Sequence, residues 1–167
     1  MKALYIGRFQ PLHKGHLKII QDISKEFDEI IIGIGSSQYY NTKDNPFSSE
    51  ERIKMLKESC KALNIKNYKI VLIPDIHNPP KWVDHVLKFV SDFDIVVSNN
   101  NLTLELFKNK CFKIKKTELY NKQEYSGKVI RDKIAKEKTW KKFVSKQVYD
   151  IIIKINGVER IKGLFKD

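Results

Sequence analysis

ALYIGRFQPLHKGH, residues 3–16, is a short apolar run closed by Gly7, then a polar loop, and then the opening of a pattern in which Leu17, Ile20, Ile23 and Phe27 recur at helical spacing. A strand that feeds directly into a helix leaves the first backbone N–H groups of that helix unpaired, with about half a positive charge, so this loop is a ready site for an anion. His13 and His16 stand three apart across Gly15. That spacing can aim both imidazoles at one bound group, while the missing side chain lets a phosphate approach the backbone. Arg8 adds a planar fork at the strand end.

Beyond this stretch, strand and helix patterns alternate. Glu29 to Gly35 holds a continuous β-branched run of the kind found in a parallel strand covered on both faces. After a polar loop over 36–47, Ser48 and Glu51 have capping-box spacing, and Ile53, Leu56, Cys60 and Leu63 form an apolar stripe. Strands are predicted at Tyr68 to Ile73, Phe93 to Val97 and, more weakly, Cys111 to Ile114. A helix carrying Val83, Val86, Leu87 and Val90 starts near Pro80, a short one spans Leu102 to Phe107, and a loop over 117–125 leads to Ser126 as a helix cap. The predicted fold is α/β: a Rossmann-like, doubly wound parallel sheet of about five strands over 1–116, with a helical part over 117–167, in a single domain. Ligands of such sheets bind at the carboxyl ends of the strands, here after Gly7, Gly35, Ile73 and Val97.

Composition narrows the function classes. With 41% apolar and 31% charged residues, seven Gly and five Pro, the chain is globular rather than disordered. Cys60 and Cys111 belong to no paired motif, which argues against a disulfide framework or zinc finger and for a reducing compartment. No run approaches the ~20 apolar residues that span a bilayer, and the first strand is too short for a signal-peptide core, so a cytoplasmic location without membrane contact is expected. The net charge of +12 favours anionic partners, and residues 108–146 carry fourteen basic and four acidic side chains. Twenty-eight of the 32 basic residues are lysines, however, which reads as compositional preference and a solvated face more readily than as a nucleic-acid groove. The four arginines, Arg8, Arg52, Arg131 and Arg160, are therefore the informative cations.

Rival motifs fail on detail. The phosphate loop GxxxxGK[ST] is absent, since Leu12 stands where its second glycine belongs. The dinucleotide fingerprint breaks at Gln38 after Gly33 and Gly35, and no glutamate follows His13 as in HExxH zinc sites.

The run GRFQPLHKGH resembles the signature of the HxGH nucleotidyltransferase superfamily, and its GRFQP lead-in is similar to the archaeal type of nicotinamide-mononucleotide adenylyltransferase. The likeness continues in the family's order through IGIGSSQ (32–38), Asn45-Pro46-Phe47 with Glu51-Arg52-Ile53, Trp82-Val83, Tyr125-Ser126-Gly127 with Arg131, and Gly157-Val158-Glu159-Arg160. The resemblance implies an enzyme of NAD biosynthesis that joins ATP and nicotinamide mononucleotide by in-line transfer, releasing pyrophosphate. It implies catalytic roles for His13, His16, Arg8 and Arg131, with His13, His16 and Arg8 on the ATP phosphates and Arg131 on the departing pyrophosphate. Gly7, Phe9, Gly15, Ser98, Ser126, Gly127 and Lys128 would line ATP, while Gly35, Ser36, Asp75 and Trp82 would line nicotinamide mononucleotide, with Trp82 stacked on its ring or packed in the core. Magnesium would bridge phosphate oxygens without a dedicated protein cage, and the family suggests a homo-oligomer. Arg52 is expected to order its own helix and Arg160 to pair with an acidic neighbour at the C-terminus; His77 and His85 receive no partner.

Two positions depart from the family pattern: Asn99-Asn100-Asn101 replaces Gly-Asn-Pro after Ser98, with Asn99 expected to keep the turn, and Lys128 replaces Thr after Ser126-Gly127. Two readings stay open beside the principal one. A sister enzyme could act on flavin mononucleotide or phosphopantetheine, although those families usually have Thr-Phe-Asp where this chain has Arg8-Phe9-Gln10. A non-catalytic nucleotide- or nucleic-acid-binding module could use the basic segment.

Overall fold

The computed structural model describes residues 1–118, 120 and 124–166. They fall into two compact units, one of Met1–Arg8, Ile19–Ser37 and Asn67–Leu119, the other of Phe9–Lys18, Gln38–Lys66 and Tyr120–Asp167.

The first unit holds a five-stranded parallel sheet in the order β3-β2-β1-β4-β5, with β1 Lys2–Gly7, β2 Glu29–Gly35, β3 Tyr68–Ile73, β4 Ile95–Ser98 and β5 Lys113–Lys116. In register, Leu4 lies beside Ile31 on one flank and Val96 on the other. These three belong to a buried cluster with Val83, Val86 and Val90 from α3 (Pro79–Leu87) and its C-terminal extension and with Phe107 from α4 (Asn101–Asn109). On the other face Ala3, Tyr5, Ile30, Ile32 and Val97 are also buried, as are Ile20 and Ile23 of α1 (Lys14–Glu26). Burial of both faces is what the unbroken β-branched run of β2 requires. The strand order reverses between β1 and β4, so the topological switch point lies outside Gly7 and Ser98.

The second unit is helical. It contains α2 (Ser49–Ala62), α5 (Gly127–Ala135), a 3-10 turn at Lys141–Phe143, α6 (Lys146–Lys154) and α7 (Gly157–Phe165). Ser48 caps α2 through the Glu51 N–H, and the Glu51 carboxylate accepts the Ser48 N–H in return, completing the box.

Several boundaries depart from the sequence expectation for physical reasons. β5 begins at Lys113 because the chain is still closing α4 at Cys111 and Phe112, whose N–H groups donate to Lys108 and Phe107 carbonyls. Cys111 takes a φ of 62° in that turn. Phe93 lies ahead of β4 and packs its ring on Phe107 and Phe112. In α2 the buried stripe is Arg52, Met55, Leu56, Ser59 and Cys60, whereas Ile53 is half-buried and Leu63, past the helix end, is 37% exposed. Of the predicted 117–125 loop, residues 119 and 121–123 lie outside the described residues.

Candidate active site

In the second unit, Phe9 to Lys18 form the loop and first turn that carry the histidines. Phe9 is buried with φ at 53°, a conformation that bulky residues adopt only where surroundings enforce it. The two imidazoles stack with centroids 3.6 Å apart and planes 20° from parallel. Each is tied to the other's backbone: the His13 N–H donates to His16 Nδ1 and the His16 N–H to His13 Nδ1, both at 3.3 Å. With Nδ1 an acceptor on both rings, each neutral imidazole keeps its proton on Nε2, where it can donate to a ligand. Phe9 meets His16 edge-on at 4.9 Å, and Tyr125 lies nearly parallel to His13 at 6.4 Å. Burial lowers the His13 pKa to about 4, and burial together with the neighbouring His13 holds His16 well below its ordinary value. Both rings are uncharged at neutral pH.

Close approach explains two glycines here. A Cβ on Gly15 would come within 2.9 Å of Tyr125 Cβ and 3.1 Å of the His13 ring. One on Gly127 would sit 2.9 Å from the Gln10 carbonyl oxygen. Arg131, one turn along α5, is only 3% exposed. Its Nη1 donates to Gln10 O at 2.8 Å, Nε to Lys43 O at 3.1 Å, and Nη2 pairs with Asp44 at 3.3 Å. Ser126 occupies the cap position of α5 but its side chain makes no capping bond, a correction to the predicted cap, and Lys128 is exposed in the first turn. Arg52 is fully buried and its Nε donates to the Ser48 carbonyl, so it orders its own helix as expected. Arg160 pairs with Glu51, at 2.7 and 2.9 Å, rather than with a C-terminal neighbour, and also donates to Pro46 O.

The first unit carries the remaining predicted residues. Gly7 ends β1, with Arg8 exposed just after it, and Gly35 ends β2. Ser98, buried at the end of β4, accepts the Asn100 N–H on its hydroxyl, and Asn100 caps α4 by accepting the Thr103 N–H. Among the described residues positive φ does not fall on Asn99, so the turn is made without a left-handed residue there. An open cavity of about 280 Å³ is lined by Asp75, His77, Trp82, Asn100, Thr103 and Leu106, among others. Ser36 and His77 both have positive φ, 48° and 49°, and both turn toward Asp75: Ser36 Oγ lies 3.5 Å from Oδ2, and the His77 N–H donates to Oδ1 at 2.9 Å. Trp82 is half-buried, edge-on to Phe107 at 5.7 Å, and lines the cavity, so it both packs and presents surface. His85 has a partner after all, the Pro74 carbonyl at 2.7 Å.

Sequence reasoning missed Gln10, Tyr125, His77, Asn100 and Thr103. Gln10 and Tyr125 stand inside or beside quoted motifs, but nothing in the letters reveals that a glutamine is buried or that a tyrosine reaches a histidine. Among the described residues no three His, Cys, Asp or Glu side chains are gathered as a metal site, and no helix is long and apolar enough to cross a membrane.

The cytidylyltransferase-like family profile matches residues 4–144. A nicotinamide-nucleotide adenylyltransferase of Methanococcus vannielii is 48% identical over 164 residues, covering 98% of this chain and 95% of its own. Its counterpart from Archaeoglobus fulgidus is 38% identical over 169 residues, covering 98% of this chain and 97% of its own. Among solved structures, a bifunctional NMN adenylyltransferase/ADP ribose pyrophosphatase of Francisella tularensis, complexed with AMP and a manganese ion, superposes with a TM-score of 0.81 at 24% identity. It covers 98% of this chain and 51% of that one, and shows a shared fold.

Proposed function

Because the chain belongs to the nicotinamide-nucleotide adenylyltransferase family, we infer that it is a nucleotidyltransferase of NAD biosynthesis, joining ATP and nicotinamide mononucleotide to give NAD and pyrophosphate. The observation that carries this reading is 48% identity over 98% of the chain to such an enzyme, combined with the reciprocally bonded His13–His16 pair at a helix N-terminus. The mononucleotide phosphate attacks the α-phosphorus of ATP in line, so the protein's task is positioning and charge stabilisation rather than covalent chemistry.

In the second unit, His13 and His16 donate through Nε2 to the polyphosphate, most strongly as charge builds in the transition state. The backbone of Phe9 and Gly15 and the α5 start at Ser126, Gly127 and Lys128 complete the ATP contacts. Arg131 lends positive potential to the departing pyrophosphate while its side chain remains bonded to Gln10 and Lys43. From the first unit, Gly7, Arg8 and Ser98 serve ATP at the sheet's switch point. The cavity beside Gly35, Ser36, Asp75 and Trp82 takes nicotinamide mononucleotide, with the indole stacked on the pyridine ring. A divalent cation, magnesium in this reading, would offset charge on the polyphosphate when bound, while His13, His16 and the start of α5 orient the phosphates. A cytoplasmic homo-oligomer completes the proposal.

The test incubates the protein with ATP, magnesium and a panel of mononucleotides and weighs the products. NAD from nicotinamide mononucleotide is expected; a product only with flavin mononucleotide or phosphopantetheine would overturn the substrate assignment.

A further inference from the structure

We propose that Gln10 is a positioning residue for the triphosphate cradle, a role that rests on the adenylyltransferase reading above. Gln10 is 3% exposed, and both ends of its side-chain amide and its own carbonyl are hydrogen-bonded. Its side-chain Nε2 donates to Phe47 O at 2.9 Å and its Oε1 accepts the Phe47 N–H at 3.0 Å, so the amide pairs with a peptide as a strand neighbour would. Its own carbonyl accepts Arg131 Nη1 at 2.8 Å. Arg131 in turn grips Lys43 O and Asp44, which lead along the chain back to Phe47. The bonds close into a ring: Gln10 side chain, Phe47, the intervening Asn45 and Pro46, Asp44 and Lys43, Arg131, Gln10 carbonyl.

A ring of this kind fixes the height of the Arg131 guanidinium relative to a histidine pair that begins three residues after Gln10. It also fixes the start of α5, since the Gly127 position lies against the same Gln10 carbonyl. Burying an amide without partners is costly, so these bonds hold the Gln10 side chain and the 43–47 segment in one arrangement. Gln10 touches no reacting atom in this scheme. It acts by keeping two phosphate-binding groups in one geometry, where displacement by about 1 Å can cost on the order of a hundredfold in rate.

The experiment compares Gln10→Leu and Gln10→Glu with the unaltered chain, reading kcat per folded molecule, the ATP dissociation constant by calorimetry, and the nicotinamide mononucleotide dissociation constant. Gln10→Leu is expected to lower kcat by about tenfold or more and weaken ATP by about tenfold, while nicotinamide mononucleotide binding stays within about twofold. Ser59→Ala, which breaks the Ser59–Ser145 hydroxyl pair between α2 and α6, supplies a destabilised control expected to keep kcat per folded molecule. If Gln10→Leu does not fold, Gln10→Glu decides. As a carboxylate it can accept the Phe47 N–H but cannot donate to Phe47 O; once protonated, it regains the missing donor. Its kcat relative to the unaltered chain should therefore recover as pH falls from 8 toward 5.5. A constant ratio across that range, or wild-type ATP binding and kcat in Gln10→Leu, would overturn the proposal. If the unaltered chain makes no NAD, the functional reading fails by itself, and ATP binding by the Gln10 variants still decides the role of Gln10.

Discussion

The His13–His16 pair is uncharged at neutral pH, because burial lowers His13 to about 4 and, with the neighbouring His13, holds His16 well below its ordinary value. Two stacked imidazoles resist carrying two positive charges in isolation; under the proposed mechanism, an arriving polyphosphate offers negative charge to both Nε2 donors. Under that mechanism their hydrogen bonds are worth most when charge on the phosphates peaks. His16→Ala is expected to lower kcat by about a hundredfold or more, the usual cost of losing one transition-state donor, while the ATP dissociation constant moves by less than about fivefold. Equal losses in both quantities would remove the assigned role. The letters His13-Lys14-Gly15-His16 made the pairing of the two imidazoles legible, since spacing and glycine are local properties. Tyr125 was not legible as a ring neighbour of His13, because its distance along the chain hides a contact made only by packing.

At the level of elements, the N-terminus of α2 shows the same division. Ser48 and Glu51 announced a capping box because both halves lie within four residues. The second partner of Glu51 is Arg160 on α7, 109 residues away, and no periodicity could have joined them. Although burial alone would raise the Glu51 pKa, the Arg160 guanidinium and the Ser48 N–H hold it below the ordinary carboxylate value. Arg160→Leu removes one partner of a partly buried pair and frees the Pro46 carbonyl as well. Such a loss costs about 2 kcal/mol, or roughly 6 °C in the melting midpoint of a chain this size, measurable by calorimetry. Gly127→Ala tests a different element. With Gln10 O only 2.9 Å from the new Cβ, α5 must shift, and the expected result is a loss of turnover that exceeds the loss of thermal stability.

Across the whole molecule, the fold was readable because β1 to β5 and their helices are each encoded by nearby residues, whereas the edges of β4 and β5 moved where aromatic packing and a tight turn overrode the local pattern. Acid sensitivity is another whole-molecule property. An imidazole with a lowered folded pKa contributes stability that is complete above its unfolded value near 6.5 and is lost as pH falls toward 4. At pH 5 His13 alone should cost about 2 kcal/mol relative to pH 7.5, visible as a lower urea midpoint, and His13→Asn should flatten that dependence. The strand order carries one more consequence, for synthesis. β1 is made before the other four strands but sits in the middle of the sheet, flanked by β2 and by β4. Its second edge stays open until Ile95–Ser98 have been made, so the nascent chain carries an unpaired strand edge throughout synthesis of the segment between Gly7 and Ile95. Final closure of the sheet is thus a late event set by topology, however early β1 and the histidine-bearing loop after it emerge.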